Sequence, residues 1–123
     1  MAAVRYFVSD VERSVKFYTG LLGFTLSENW GAIAILDRDD LRLWLAGPGT
    51  SAARPMPDGA KPGPGGWNRF VLTVEDIEGV VARLKVGGAS FRNEIISGPG
   101  GRQILVNDPD GNPVELFQPS ARG

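Results

Sequence analysis

The chain contains the same short pattern twice, and this internal repeat limits its possible folds more than any other feature. Residues 8–15, VSDVERSV, align with residues 74–81, VEDIEGVV, at a constant spacing of 66 residues. An alternating apolar stretch precedes each copy, AVRYFV in the first and NRFVLTV in the second. Self-similarity at a fixed spacing indicates two structural units of the same kind.

Each copy predicts one helix followed by three strands. Asp10 and Asp76 suit the position just before a helix, and apolar residues then recur every three or four positions. Glycines at 23 and at 87–88 suit the helix ends. A βαβββ module is therefore predicted twice, within a single domain. The modules span 1–46 and 67–119, and the strands after the helices fall near 24–30, 31–36 and 41–46, then 90–96, 102–107 and 113–118.

A segment rich in glycine and proline, residues 47–66, separates the two modules. Eleven of its twenty residues are Gly or Pro, a composition that excludes a helix or a central strand. It is either a plain connection or a loop that closes over a ligand, since loops longer than about 12–15 residues are often functional.

Several kinds of site and partner are excluded by composition. The chain has no histidine and no cysteine, which removes the commonest metal ligand, the commonest general base and every thiolate. A net charge of −1 argues against nucleic acid as a partner. No apolar run approaches the roughly 20 residues of a membrane span, and the first residues lack the apolar core of a signal peptide. We therefore expect a cytoplasmic protein without nucleic-acid or membrane partners.

Alternation along the predicted strands separates an apolar face from a face that mixes charged and aromatic side chains. The apolar faces should pack against the helices. The mixed faces could be exposed to solvent, as in many antiparallel sheets, but large aromatics beside a few polar groups are typical of a small-molecule cavity. The candidate ligand-binding residues on these faces are Arg5, Phe7, Arg42, Trp44, Arg69, Glu115 and Phe117.

The paired βαβββ pattern resembles the vicinal oxygen chelate superfamily, which includes glyoxalase I, extradiol dioxygenases, fosfomycin-resistance enzymes and bleomycin-resistance proteins. Three stretches carry the resemblance: VSDVERSVKFYTGLLGF, VEDIEGVVARLKVGGASF and DPDGNPVELFQP. The resemblance implies an α+β fold in which the two modules form a curved mixed sheet around a ligand cavity. It also implies a homodimer.

In metal-using members of that superfamily, four inward-facing positions hold the ion. Carried over to this chain, they read Ala3, Arg42, Arg69 and Glu115. Ala3 and Arg69 lie seven residues before the helix-capping aspartates, Glu115 follows DPDGNPV, and Arg42 is matched to it through LRLWL. Alanine offers no donor atom and arginine stays cationic, so we expect neither a metal nor another cofactor. Glu115 is expected to pair with Arg42 or Arg69.

Two functions follow from these residues. The first is metal-free binding or sequestration of a small planar, anionic molecule, with the three arginines forming a net positive wall. The three candidate aromatic residues would supply the stacking surface, and Trp30 is a weaker candidate. The second is a glyoxalase- or dioxygenase-type enzyme, in which Glu115 acts as general base and an arginine stabilises an oxyanion.

Overall fold

A computed structural model describes residues 2–121, which divide after Gly65 into two compact units. Each unit contains one α-helix and one mixed sheet. The predicted α+β class, with the βαβββ pattern in both halves, is therefore confirmed. No helix between residues 2 and 121 is long and apolar enough to cross a membrane.

The sheet of the first unit has the strand order β1-β4-β3-β2. Strand β1 runs parallel to β4, and the remaining neighbours are antiparallel. After β4 the chain makes a short 3-10 turn at Ser51–Ala53. The elements are β1 (Val4–Phe7), α1 (Val11–Leu21), β2 (Thr25–Asn29), β3 (Ile33–Arg38) and β4 (Leu41–Ala46).

The second unit repeats this order as β5-β9-β8-β6, with β7 also paired to β8. Strand β5 is parallel to β9, and β8 is antiparallel to its partners. The elements are β5 (Val71–Thr73), α2 (Ile77–Val86), β6 (Ser90–Phe91), β7 (Ile96–Gly98), β8 (Gly101–Asn107) and β9 (Pro113–Pro119).

Both helices begin and end as the sequence predicts. The side chains of Asp10 and Asp76 each accept a 3.1 Å hydrogen bond from the backbone N–H three residues later, which satisfies a donor that the helix leaves unpaired. Gly23 and Gly88, just beyond the helix ends, have φ values of 73° and 87°. Glycine adopts this left-handed conformation without steric cost.

The strand predicted at residues 90–96 is wrong as a single element, because β6 and β7 are separated by an irregular stretch. The backbone N–H of Leu105 donates to the side-chain oxygen of Asn93 at 2.9 Å. The Asn93 side chain thus accepts a hydrogen bond that a backbone carbonyl of the neighbouring strand would accept in a regular sheet. The guanidinium of Arg92 bonds Asn107 Oδ1 and the backbone oxygens of Gly66 and Gly111, which fixes the local chain path.

The two predicted apolar faces are the buried faces. In the first unit, α1 contacts β3 and β4, and Leu43 and Leu45 on β4 are fully buried. In the second unit, α2 contacts β9, where Val114 and Leu116 are fully buried. Leu41, on the same face of β4 as Leu43 and Leu45, is half-buried at the start of the strand. Apolar burial of this kind supplies most of the driving force for folding.

Candidate functional site

The open face of the first sheet, opposite α1, brings Arg5 and Trp44 together. They are partners in the parallel β1–β4 register, so their side chains project from the same face. The guanidinium carbon of Arg5 lies 4.9 Å from the centroid of the Trp44 ring, within the range of a cation–π contact. Phe7 follows Arg5 by two residues and lies on the same face, beside Ala46.

Arg42 shares this face but is held by an acidic residue that the sequence patterns did not single out. Its Nε and Nη2 atoms donate to the two carboxylate oxygens of Asp37, at 2.8 and 2.9 Å. The hydrogen bond from Arg42 lowers the pKa of the Asp37 carboxyl, and the same bond raises the pKa of Arg42. Arg42, one of the two partners expected for Glu115, is therefore paired with Asp37 instead.

The hairpin turn between β3 and β4 explains the Asp37–Arg42 pair. Two residues, Asp39 and Asp40, connect the strands, and Asp39 has φ 55°. A two-residue hairpin fixes the register, which here places Asp37 directly opposite Arg42. The sequence RDDL contained this signal, because a two-residue turn at positions 39–40 pairs 38 with 41 and 37 with 42.

In the second unit, Glu115 pairs with Arg69, the other predicted partner. Arg69 donates from Nε at 3.1 Å and from Nη2 at 2.8 Å, both to Oε1 of Glu115. A third donor, Nη1, contacts the backbone oxygen of Trp67 at 3.3 Å. The Glu115 residue is 9% exposed, and the Arg69 side chain is 30% exposed. The prediction of an Arg69–Glu115 pair is confirmed.

Phe117 lies on β9, on the same open face of the second sheet as Glu115. Its neighbours in register are Thr73 on β5 and Gln103 on β8, and it is half-buried. The candidate residues thus form two groups: four on the open face of the first sheet, and Arg69, Glu115 and Phe117 in the second unit.

The strand registers correct the equivalence that sequence matching assigned to Arg42. Val8 and Val74 occupy the same place in the repeat, and each donates its backbone N–H to a carbonyl on the parallel strand. The acceptors are Ala46 in the first unit, at 3.0 Å, and Phe117 in the second, at 2.9 Å. Ala46 therefore corresponds to Phe117, and Trp44, two residues earlier, corresponds to Glu115. Arg42 lies two residues before Trp44 on β4 and therefore has no equivalence to Glu115.

The four family positions therefore read Ala3, Trp44, Arg69 and Glu115, and this set does not fit a metal ion. Alanine and an indole ring offer no usable ligand atom. Arg69 is a cation that already holds the carboxylate of Glu115. Within residues 2–121, no group of three or more acidic, histidine or cysteine side chains is arranged to hold a metal.

The expected net positive wall is also wrong as stated, because two of its three arginines are neutralised. Asp37 balances Arg42 and Glu115 balances Arg69. Arg5 alone of the three has no carboxylate within 4.0 Å in the part of the chain that is described. Positive charge on the open face of the first sheet is therefore concentrated at the Arg5–Trp44 pair.

Trp44 carries an unsatisfied donor. Its Nε1 atom is shielded from solvent and has no hydrogen-bond acceptor among residues 2–121. A shielded donor without an acceptor is unfavourable by about 1–3 kcal/mol, and few such groups occur in folded proteins. Because it is shielded, this N–H group is not accessible to a ligand in this structure.

A cavity lies in the first unit, where β1 and β4 end against the Gly/Pro-rich segment. Its volume is about 300 Å³. Phe7 is the candidate residue that lines it, and Lys61 contributes the charged group. The length of the segment was the available signal, but nothing in its composition placed Lys61 near Phe7. The lining residues are Phe7, Val8, Ser9, Ala46, Gly47, Pro48, Gly49, Ala53, Lys61, Pro62, Gly63 and Pro64.

Known proteins resemble the chain in sequence and in fold. A family model, the Glyoxalase/Bleomycin resistance protein/Dioxygenase superfamily, matches residues 1–116. CFP32 of Mycobacterium tuberculosis, by name a glyoxylase, is 32% identical over 116 residues, which cover 89% of this chain. The chain spans only 42% of the length of that protein.

Two further proteins match over nearly their whole length. The bleomycin resistance protein of Geobacillus stearothermophilus is 29% identical over 119 residues, with 90% of each chain covered. TnmS3, an antibiotic binding protein from Streptomyces sp. CB03234, has a crystal structure that matches with a TM-score of 0.75. It is 28% identical, and the match covers 98% of this chain and 96% of TnmS3.

Proposed function

We propose that this chain, which belongs to the Glyoxalase/Bleomycin resistance protein/Dioxygenase superfamily, binds and sequesters a small planar, anionic organic molecule without a metal. One observation carries the proposal. At the position equivalent to Glu115, the first unit has Trp44, with the guanidinium of Arg5 stacked 4.9 Å from the ring centroid. A stacked cation and ring at a family ligand position suits recognition of a flat molecule rather than coordination of an ion.

The chemistry of the Arg5–Trp44 pair defines the ligand class. A guanidinium group stacks on flat rings and offers a planar set of donors to a carboxylate or a phosphate. Arg5 keeps its charge available because no carboxylate among the described residues neutralises it.

Two of the relatives support binding as the broad class of function. One is named for bleomycin resistance and one is described as antibiotic binding. We take from them the class of activity, sequestration of a small organic molecule, and not the identity of either cargo. The remaining candidate residues, Phe7, Arg42, Arg69, Glu115 and Phe117, stay predictions, as do a homodimer and a cytoplasmic location.

The enzyme alternative has less support from this geometry. It needs Glu115 as a general base, but that carboxylate accepts two hydrogen bonds from Arg69 on one oxygen. A base held in this ion pair must give up part of the pairing to take a proton. The glyoxylase name of the mycobacterial relative belongs to a protein more than twice as long as this chain.

The test uses two fluorescent probes of similar shape, the anionic 8-anilinonaphthalene-1-sulfonate and the neutral N-phenyl-1-naphthylamine. We expect saturable binding of the anionic probe to the wild type. Arg5→Gln should weaken it about three- to tenfold, because a cation–π and charge contact is lost. Arg54→Gln is the matched control, and it should stay within about twofold of wild type because Arg54 is exposed and is not one of the candidate residues.

Two results would overturn the proposal. The first is that folded wild-type protein binds neither probe saturably. The other is an equal weakening by Arg5→Gln and Arg54→Gln, which would mean that overall charge, rather than the stacked pair, governs binding. Circular dichroism of each variant checks that the fold is retained.

A further inference from the structure

We infer that the cavity under the Gly/Pro-rich segment is a subsite for an anionic group of the ligand, with Lys61 as a counter-charge in addition to Arg5. This inference rests on the proposed function. It adds a part of the site to which Phe7 alone of the seven candidate residues contributes. We call this space of about 300 Å³, between the ends of β1 and β4 and residues 47–64, the loop cavity.

The segment that forms the wall of the loop cavity is anchored at its start. The backbone N–H of Gly47 donates to Ala32 O at 2.9 Å, and the hydroxyl of Thr50 donates to Gly47 O at 2.9 Å. A Cβ atom on Gly47 would lie 2.9 Å from Val11 Cγ2 and 3.1 Å from Ala32 O. Only glycine fits this close approach, so the chain leaves β4 along a fixed path.

One turn further along the segment is also held by internal hydrogen bonds. A compact turn closes between Met56 and Ala60, whose backbone groups bond at 2.7 Å. The side chain of Asp58 accepts from Ala60 N at 3.0 Å within the same turn. Prolines 62 and 64 then restrict the backbone where it lines the cavity. The turn and the two prolines therefore restrict the path of the chain along the wall of the cavity.

The lining of the loop cavity is apolar, with a single charge. Phe7, Val8, Ala46, Ala53 and the proline rings supply its apolar surface. Lys61 is its only charged side chain, and none of the twelve lining residues is acidic. Lys61 also makes no ion pair elsewhere in residues 2–121. An apolar pocket with one unpaired cation is complementary to an apolar anion.

Phe7 connects the loop cavity to the Arg5–Trp44 pair. Phe7 and Ala46 are cross-strand partners, and both line the loop cavity. On the same open face, the neighbouring pair of partners is Arg5 and Trp44. Alternate residues along a strand are about 7 Å apart, a distance that one aromatic ring system can span. A ligand with its ring on Trp44 can therefore place an acidic group in the loop cavity.

The experiment compares Lys61→Gln with Arg54→Gln, a control that removes the same charge from the same segment outside the cavity lining. Both variants are titrated with 8-anilinonaphthalene-1-sulfonate and with N-phenyl-1-naphthylamine. We expect Lys61→Gln to weaken the anionic probe about three- to tenfold and the neutral probe less than about twofold. Arg54→Gln should leave both affinities near the wild-type values.

A second variant, Ala53→Trp, tests the location of the subsite by filling the loop cavity. It should weaken the anionic probe more than about tenfold, because the indole would occupy much of the space that the sulfonate needs, and it should weaken the neutral probe less. If wild-type protein binds both probes but Lys61→Gln behaves like Arg54→Gln, or if Ala53→Trp leaves binding unchanged, the inference is overturned while the proposed function stands. If the wild type binds neither probe, the proposed function itself fails.

Discussion

The two units share one chain path but use equivalent positions for opposite chemistry. Trp44 and Glu115 occupy the same place in their sheets, and one stacks with a cation while the other forms an ion pair. The buried sides differ far less, since Leu45 and Leu116 are also equivalent and both are fully buried. A βαβββ unit thus needs its apolar face to fold, while the opposite face is free to acquire different functions.

The ion pair of the second unit should have the larger effect on stability. Glu115→Gln keeps the shape of the side chain but leaves Arg69 next to a neutral amide in a partly buried place. We expect the free energy of unfolding to fall by about 2–3 kcal/mol, somewhat below the loss for a fully buried pair. Urea denaturation followed by circular dichroism measures it.

Glu78→Gln is the matched control for that loss. Glu78 also pairs with an arginine, Arg102, at 2.6 Å, but its side chain is 68% exposed. Solvent screens such a pair, so the change should cost less than about 1 kcal/mol. Equal losses from Glu115→Gln and Glu78→Gln would show that burial of the second unit's pair has no special role.

The Asp37–Arg42 pair of the first unit should have a smaller effect that depends on pH. Because Arg42 lowers the pKa of folded Asp37, the ionised pair stabilises the folded state above the ordinary pKa of the carboxyl. That stabilisation is lost as the pH falls through the lowered value. The advantage of wild type over Asp37→Asn should therefore be present at about pH 6 and shrink below about pH 4.

Arg42→Gln provides the control for this prediction. In an Arg42→Gln background the guanidinium that lowers the pKa of Asp37 is gone, so Asp37→Asn should no longer produce that pH-dependent change. Urea denaturation of the wild type, the two single variants and the double variant at both pH values makes the comparison. A difference that persists without Arg42 would contradict the assignment of the lowered pKa to this pair.

Much of the fold could be predicted from the sequence because its signals are local. Asp10, Asp76 and the helical spacing mark the repeated helices, and alternation identifies the buried sides of the strands. The prediction for residues 90–96 is wrong because Asn93 replaces a backbone acceptor with its side chain, an exchange that hydrophobic pattern does not reveal.

The candidate site could be predicted only in part. Matching LRLWL to VELFQ put Arg42 where the strand registers put Trp44. A shift of two residues along a strand leaves every side chain on the same face, so alternation alone cannot detect the error. Lys61 was missed for a different reason: a loop residue meets Phe7 only through the three-dimensional path of residues 47–64.

The central claim, binding without a metal, is tested most directly by one comparison. Metal content of the purified protein is measured by mass spectrometry. Its affinity for 8-anilinonaphthalene-1-sulfonate is then measured after chelator treatment and after addition of Mn, Zn, Ni or Fe(II). We predict substoichiometric metal and an unchanged affinity throughout. Stoichiometric metal, with probe binding lost on chelation and restored by one of these ions, would contradict the account.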